Sequence, residues 1–137
     1  MNDEQIKQNL KKFESILQKK GYAHLATLMP NCKPQTTPVW FDMENGYIRI
    51  NTAIGRVKDK NMKSRSQVAL SIMDPDNPYN YVTIRGVVVD RTEEGADEHI
   101  NLLAKKYLGL DEYPYRSPSE VRVLYRIKPI SVSGTMN

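Results

Sequence analysis

Cysteine is almost missing from these 137 residues: Cys32 is the only one. That excludes an intrachain disulfide framework and every multi-cysteine zinc or iron–sulfur site. Histidine is nearly as scarce, with His24 and His99 far apart in the chain. The chain also lacks a G-x-S-x-G elbow, a Walker loop and a G-x-G-x-x-G turn. Asp74 and Asp76 sit among prolines, where acids commonly form turns rather than metal sites. Hydrolytic and metal chemistry are therefore poorly supported. No apolar run approaches the roughly 18–20 residues of a membrane span. The polar N-terminus has no signal-peptide core, so a cytoplasmic protein with no membrane partner is expected. Charge excess is small, at +4. The basic residues are not interleaved with aromatics as a stacking platform for nucleic acid requires, so no nucleic-acid partner is expected.

What is present fits an ordinary globular chain, with 39% hydrophobic and 26% charged residues. The length predicts a single domain over residues 1–137. Ile6, Leu10, Phe13 and Ile16/Leu17 form one apolar stripe and predict a helix over residues 1–20, capped by Asn2 or Asp3 and stopped at Gly21. Strand texture then predominates: Tyr22–Met29 and Pro34–Phe41 as a hairpin, then Tyr47–Thr52 after the Asn45-Gly46 turn, the three making a meander. Gly55–Ser66 reads as a basic loop with a short helix. Val68–Met73 and Tyr81–Val89 are further strands, separated by a loop over Asp74–Pro78. Gly86 marks a bulge or a close approach. Ala96–Leu108 returns to helical spacing, 109–119 is an irregular aromatic loop, and Val121–Ile127 is the sixth strand, ended by Pro129, with Ile130–Val132 able to continue it after a kink. This order predicts a mainly β (α+β) fold, a small antiparallel barrel with an N-terminal helix and a helix before the last strand.

The segment Asn51-Thr52-Ala53-Ile54-Gly55-Arg56-Val57-Lys58-Asp59-Lys60-Asn61 is the strongest local signal. It offers a hydroxyl, a glycine-loosened backbone, a planar cation and a point charge at a helix start, which is what phosphate recognition needs. A solvated basic loop has the same texture. Pro38-Val39-Trp40-Phe41 can present a strand edge to a flat ring, or can be plain sheet core. Cys32 sits in a turn, with no basic partner beside it in sequence to activate a thiolate.

The order Tyr22-Ala23-His24-Leu25-Ala26-Thr27, Thr37-Pro38-Val39-Trp40-Phe41, Asn51-Thr52-Ala53-x2-Arg56-x-Lys58-x2-Asn61 and Asp74-Pro75-x5-Tyr81-x3-Arg85-Gly86 resembles the flavin and deazaflavin oxidoreductases of the pyridoxamine 5′-phosphate oxidase-like superfamily. Ala96–Ile100, Ala104–Gly109 and Tyr113-Pro114-Tyr115-Arg116 extend the likeness. The resemblance implies a six-stranded antiparallel split β-barrel of the FMN-binding kind, paired as a homodimer with cofactor sites at the subunit interface. The subgroup most similar in texture uses coenzyme F420, an 8-hydroxy-5-deazaflavin; other branches bind FMN, and some bind tetrapyrroles. Carried onto this chain, Arg56 and Lys58 would hold the cofactor phosphate, with Asn51, Thr52 and Asn61 beside them. Pro38, Val39 and Trp40 would line the ring site, and Tyr79 and Tyr81 would lie near the partner subunit's site. Lys60, Lys63 and Arg65 would be either a path for the acidic tail of F420 or a charged helix face. The implied activity is hydride transfer between F420 and a small organic substrate, with no catalytic side chain assigned. An FMN-binding oxidoreductase and a non-enzymatic cofactor-sequestering protein are the alternatives. The substrate-phosphate residues of the vitamin B6 oxidases are not found.

Overall fold

The computed structural model describes residues 1–137. The elements run α1 (Asp3–Lys12), α2 (Glu14–Leu17), β1 (Ala23–Leu28), β2 (Pro34–Val39), β3 (Asp42–Glu44), β4 (Tyr47–Ala53), α3 (Val57–Ser64), β5 (Gln67–Asp74), β6 (Asn77–Thr92), α4 (Ala96–Leu108) and β7 (Arg122–Thr135). All seven strands belong to one antiparallel sheet in the order β2-β1-β5-β6-β7-β4-β3. The two outermost strands, β2 and β3, are joined by Trp40 and Phe41 alone. Two intervening residues reach at most about 11 Å between strand ends. The far edges of the sheet are thus pulled together, and the sheet must curl into a barrel.

The expected six strands become seven because Asp42–Glu44 forms a short strand on the far side of the seam. The expected meander is wrong. β4 pairs with β3 and β7 and never meets β2. The Asn45-Gly46 turn does make a hairpin, with both residues at positive φ, but it joins β3 to β4. The expected helix over 1–20 breaks at Phe13, whose ring is buried in the core. Asn2 is its cap, in a reciprocal capping box with Gln5. Lys19 lies past the helix and pairs with Asp74 and Asp76. β6 starts at Asn77, so the loop expected over Asp74–Pro78 shrinks to a turn. β7 continues through Pro129, where the β6–β7 register shifts beside Gly86. A bulge leaves a ladder position where a missing N–H costs little. A side chain at Gly86 would stand 2.6 Å from Ile127 Cγ2, so only glycine fits there.

Alternating inward residues of β1, β4, β5, β6 and β7 fill the barrel, among them Leu25, Ile50, Leu70, Ile84 and Tyr125. Ile6, Phe13, Ile16 and Leu17 of the N-terminal helices complete that cluster. Helix α4 packs on β4 and β7 and fastens the seam. Lys106 Nζ donates to the Phe41 carbonyl at 2.8 Å and stands 4.2 Å from the Phe41 ring centroid. The Tyr107 hydroxyl accepts from Phe41 N–H at 3.3 Å and donates to the Gly21 carbonyl at 2.7 Å. Burial lowers Lys106 to about 8, and burial raises Tyr107 to about 12.

The raised phenol makes a signed prediction. An unfolded tyrosine ionises near its ordinary pKa of about 10, before the folded one, so stability falls as pH rises from there toward Tyr107's folded value. Chemical denaturation of wild type and Tyr107→Phe across this range should show wild type losing on the order of 2–3 kcal/mol relative to the variant. Lys106 is common to both proteins and cancels. A constant stability gap would show that Tyr107 is not buried as described.

Candidate functional site

At the end of β4 the chain turns sharply into α3. Gly55 has φ +94 and an ordinary residue would be strained there. Arg56 precedes the first helical turn, and no side chain caps it. The first N–H groups of α3 therefore lack side-chain partners at the positive end of the helix. Asp59 fixes this turn from behind. Its carboxylate accepts from Gly55 N–H at 3.0 Å, from the Tyr125 hydroxyl and from the Arg91 guanidinium at 3.1 Å. Burial pushes the Asp59 carboxyl up, but these donors outweigh it and hold it below its ordinary value.

In front of the turn lies a cavity of about 340 Å³. Its walls are Pro38, Val39 and Trp40 from the end of β2, Asn51 and Thr52 from β4, Arg56 and Lys58 from the α3 start, Ile100 and Leu103 from α4, Tyr22, and Tyr113, Tyr115 and Arg122 from the last loop and strand. Three cations converge there. Arg56 is half exposed and paired with Glu120. Arg122 is buried, reaches the other Glu120 oxygen at 3.2 Å, donates from Nε to Asn51 Oδ1 at 2.9 Å, and lies 5.4 Å from the Tyr113 ring centroid. Lys58 has no acidic partner. Burial depresses the Lys58 ammonium, and repulsion from Arg56 and Arg122 adds to the shift. The Thr52 hydroxyl is buried and has no hydrogen-bond partner. The opposite wall is aromatic: Trp40 stacks on Tyr107 with centroids 5.1 Å apart, Tyr107 on Tyr22 at 5.8 Å, and Tyr113 meets Trp40 edge-on.

Of the residues singled out in the sequence, Pro38, Val39, Trp40, Asn51, Thr52, Arg56 and Lys58 come together here. Asn61 does not. It is buried, donating to the Thr27 hydroxyl at 3.0 Å and accepting from Arg65, and so fastens α3 to β1. Tyr79 lies outside this cavity, 79% exposed beside the β5–β6 turn. Arg65 is not part of a free basic path, because its Nε donates to the Leu28 carbonyl at 2.6 Å. Lys60 and Lys63 are exposed. Arg122 was not marked by any local pattern, and Tyr22, Tyr113 and Tyr115, which lie in stretches that carry the family resemblance, were not assigned to the site. His24 is exposed on β1, and His99 is buried behind Asn51. Cys32 is exposed in a left-handed turn.

A closed antiparallel barrel with a cationic, aromatic-walled cavity at its seam suits a small anion that carries a flat ring. A sequence profile of the pyridoxamine 5′-phosphate oxidase family matches residues 10–135, and the chain belongs to that family. It is 33% identical to an F420 reductase from Mycobacterium smegmatis, over 88% of this chain and 94% of that one, with a TM-score of 0.77. Its fold is also that of General Stress Protein 26 from Bacillus anthracis (20% identity, 90% and 91% coverage, TM-score 0.67). PhzG from Burkholderia lata shares it as well (14% identity, 96% and 77% coverage, TM-score 0.64). No curated protein matches the chain.

The orphaned Thr52 hydroxyl supplies a test of the cavity. A buried donor without a partner costs about 1–3 kcal/mol, and a near-isosteric apolar replacement removes the cost. Thr52→Val should therefore raise the stability of the ligand-free protein by about 1 kcal/mol and weaken binding of an anion in the cavity. A lower melting temperature for the variant would mean that the hydroxyl already has a partner.

Proposed function

We propose that this chain is an oxidoreductase that holds a phosphate-bearing deazaflavin, coenzyme F420, in the seam cavity and passes a hydride between it and a small organic substrate. The observation that carries the reading is Lys58: a half-buried cation with no carboxylate partner, beside Arg122, an uncapped helix start and an unsatisfied hydroxyl. Such a set is electrostatically incomplete until an anion enters it. The residues present fit the group. Lys58, Arg122 and the first N–H groups of α3 would hold the phosphate, with Thr52 donating to it and Asn51 positioning Arg122. Pro38, Val39 and Trp40, at the unpaired outer edge of β2, would border the ring. The bound cofactor supplies the hydride chemistry, so the chain needs no nucleophile of its own. Likeness to the mycobacterial F420 reductase favours the deazaflavin. FMN is the second reading, because the same donors would serve its phosphate.

The reading includes a homodimer with the cofactor at the subunit interface. One face of β1, β5 and β6 supports it. Its cross-strand rows, His24–Ser71–Thr83 and Ala26–Ala69–Arg85, mix small residues with one histidine and one arginine. Met73 and Tyr81 are exposed beside them. Sedimentation should give twice the 15.8 kDa chain mass, and a monomer at micromolar concentration would remove the interface from the reading.

Fluorescence titration of the protein with F420 and with FMN decides between the cofactors. Micromolar or tighter F420 binding with weak FMN binding is expected, and the reverse preference would move the protein to the FMN reading. Lys58→Ala should cost about 1.5–3 kcal/mol of affinity, the range for a hydrogen bond to a charged group. Binding should also weaken as pH rises through Lys58's depressed titration, below the ordinary lysine range, because the neutral amine no longer attracts the anion. Unchanged affinity in Lys58→Ala would put the phosphate elsewhere.

A further inference from the structure

Behind the cavity, a line of hydrogen bonds runs from Arg122 through Asn51 and His99 to Asp42. Arg122 Nε donates to Asn51 Oδ1 at 2.9 Å. Asn51 Nδ2 donates to the Ala96 carbonyl at 2.8 Å and lies 3.1 Å from His99 Nδ1. His99 Nε2 lies 3.0 Å from Asp42 Oδ1, which also accepts from Arg49 Nε at 2.8 Å. Burial pushes the Asp42 carboxyl up, but His99 and Arg49 outweigh it and hold it low, as an ionised acceptor. His99 is 1% exposed and does not line the cavity.

Donor and acceptor logic leaves one arrangement. A guanidinium only donates, so the Asn51 atom facing Arg122 is its oxygen. The Asn51 NH2 then has two protons and two places to put them, the Ala96 carbonyl and His99 Nδ1. An amide NH2 only donates, so His99 Nδ1 must be bare, and the ring proton must sit on Nε2, pointed at Asp42. Each assignment is forced by a group that has no alternative, Arg122 at one end and the Asp42 carboxylate at the other. A proton on Nδ1 would face the Asn51 NH2, and relief by turning the amide over would set N–H against the Arg122 Nε–H.

We propose that His99 is a positioning residue: as the Nε2–H tautomer it locks the Asn51 amide, and through it holds the Arg122 guanidinium toward the anion in the cavity. Arg122 comes from the first position of β7, and Glu120 just before it leaves the loop at 109–121. Its guanidinium must be aimed from the side, and Asn51 is the neutral group that does so. Glu120 already pairs with Arg122 Nη1 at 3.2 Å; a second carboxylate at 51 would weaken its pull on the ligand further, whereas an amide orients the Nε side at no further cost in charge. The ligand in this inference rests on the F420 reading above; the lock does not.

The test therefore begins without cofactor. A bonded, buried Nε–H exchanges slowly with water, so the Arg122 Nε–H signal should be slow to exchange in 15N-labelled wild type. His99→Asn sets an acceptor at the Nδ1 position. His99→Gln sets its amide at the Nε2 position, keeping Asp42 and leaving Asn51 without an acceptor. Exchange at Arg122 should stay slow in His99→Asn and rise at least about tenfold in His99→Gln, and F420 affinity should fall at least about tenfold in His99→Gln alone. A purely packing role for His99 would affect both variants alike, and that result overturns the proposal. So does a proton on His99 Nδ1 in wild type, read by long-range 15N–1H correlation. Should His99→Gln fail to fold, Asn51→Asp presents oxygen to Nδ1 and must place a proton there as well, on a ring that keeps its Nε2 proton against Asp42; an Nδ1 that stays bare also overturns the lock. Failure of wild type to bind F420 would refute the cofactor reading and leave the exchange measurements to decide the lock.

Discussion

The carboxylate of Asp59 is the contact on which the arrangement of the site depends. It lies on α3, yet its partners belong to the turn before α3, to β6 and to β7: Gly55, Arg91 and Tyr125. One buried side chain thus ties the helix start to the barrel wall that it must face. Its cost is that of burying a charge, and three donors from separate elements offset it. The Tyr125 phenol is itself pushed above its ordinary value by burial and by the Asp59 charge, so it stays a proton donor to Asp59. With the turn pinned from behind, Lys58 and the free N–H groups point forward with little freedom. Preorganised donors of this kind lose less entropy on meeting an anion than a flexible basic loop would.

How much of this could be read from residues alone depended on the range of the interaction. Alternating burial in β1 and β5 follows from a period of two, and α1 and α4 follow from apolar stripes; these patterns are local. The Asn45-Gly46 turn was legible because positive φ is a property of two residues. Pairing was not. Nothing in Tyr47–Thr52 distinguishes a third meander strand from a strand that lies beside the C-terminal one, because its alternation would suit either neighbour. Phe13 illustrates the same limit. It fits the apolar stripe of a continuous helix, and only the barrel end that its ring plugs explains the break.

The site divides along the same line. Thr52, Arg56 and Lys58 are legible because they occupy one continuous turn at a strand end, where phosphate chemistry has a local signature. Asn61 belongs to the same stretch and has a suitable side chain, but one and a half helical turns from Arg56 it faces β1 rather than the cavity. Arg122 and the Tyr113–Tyr115 wall have no such signature. Arg122 is one of two arginines in β7, and its place at the cavity comes from β7 lying beside β4 in the sheet. His99 on α4 reads as a packed helix residue, and it is one; its further significance appears only when Asn51 and Arg122 are placed on its ring nitrogen.

The seam explains why the barrel is open to a ligand where it is. Around most of the barrel every strand has two partners, and the backbone is saturated. At β2 and β3 it is not: the outer edges of two strands approach through Trp40 and Phe41 without forming a ladder. Lys106 and Tyr107 close one side of this gap by bonding Phe41, and Trp40 and Tyr22, stacked on Tyr107, extend it as an aromatic wall. The other side is left to the α3 turn, which brings cations and unsatisfied donors instead of a strand. An unpaired edge ordinarily invites association with another chain. Here the edge is short, begins and ends near proline, and turns its Pro38–Val39 end to the cavity. The same discontinuity that lets a seven-stranded sheet close with a two-residue connection therefore leaves a place lined by a flat apolar wall, a polar strand edge and a cationic turn. A ring bearing a phosphate is the ligand that meets all three at once.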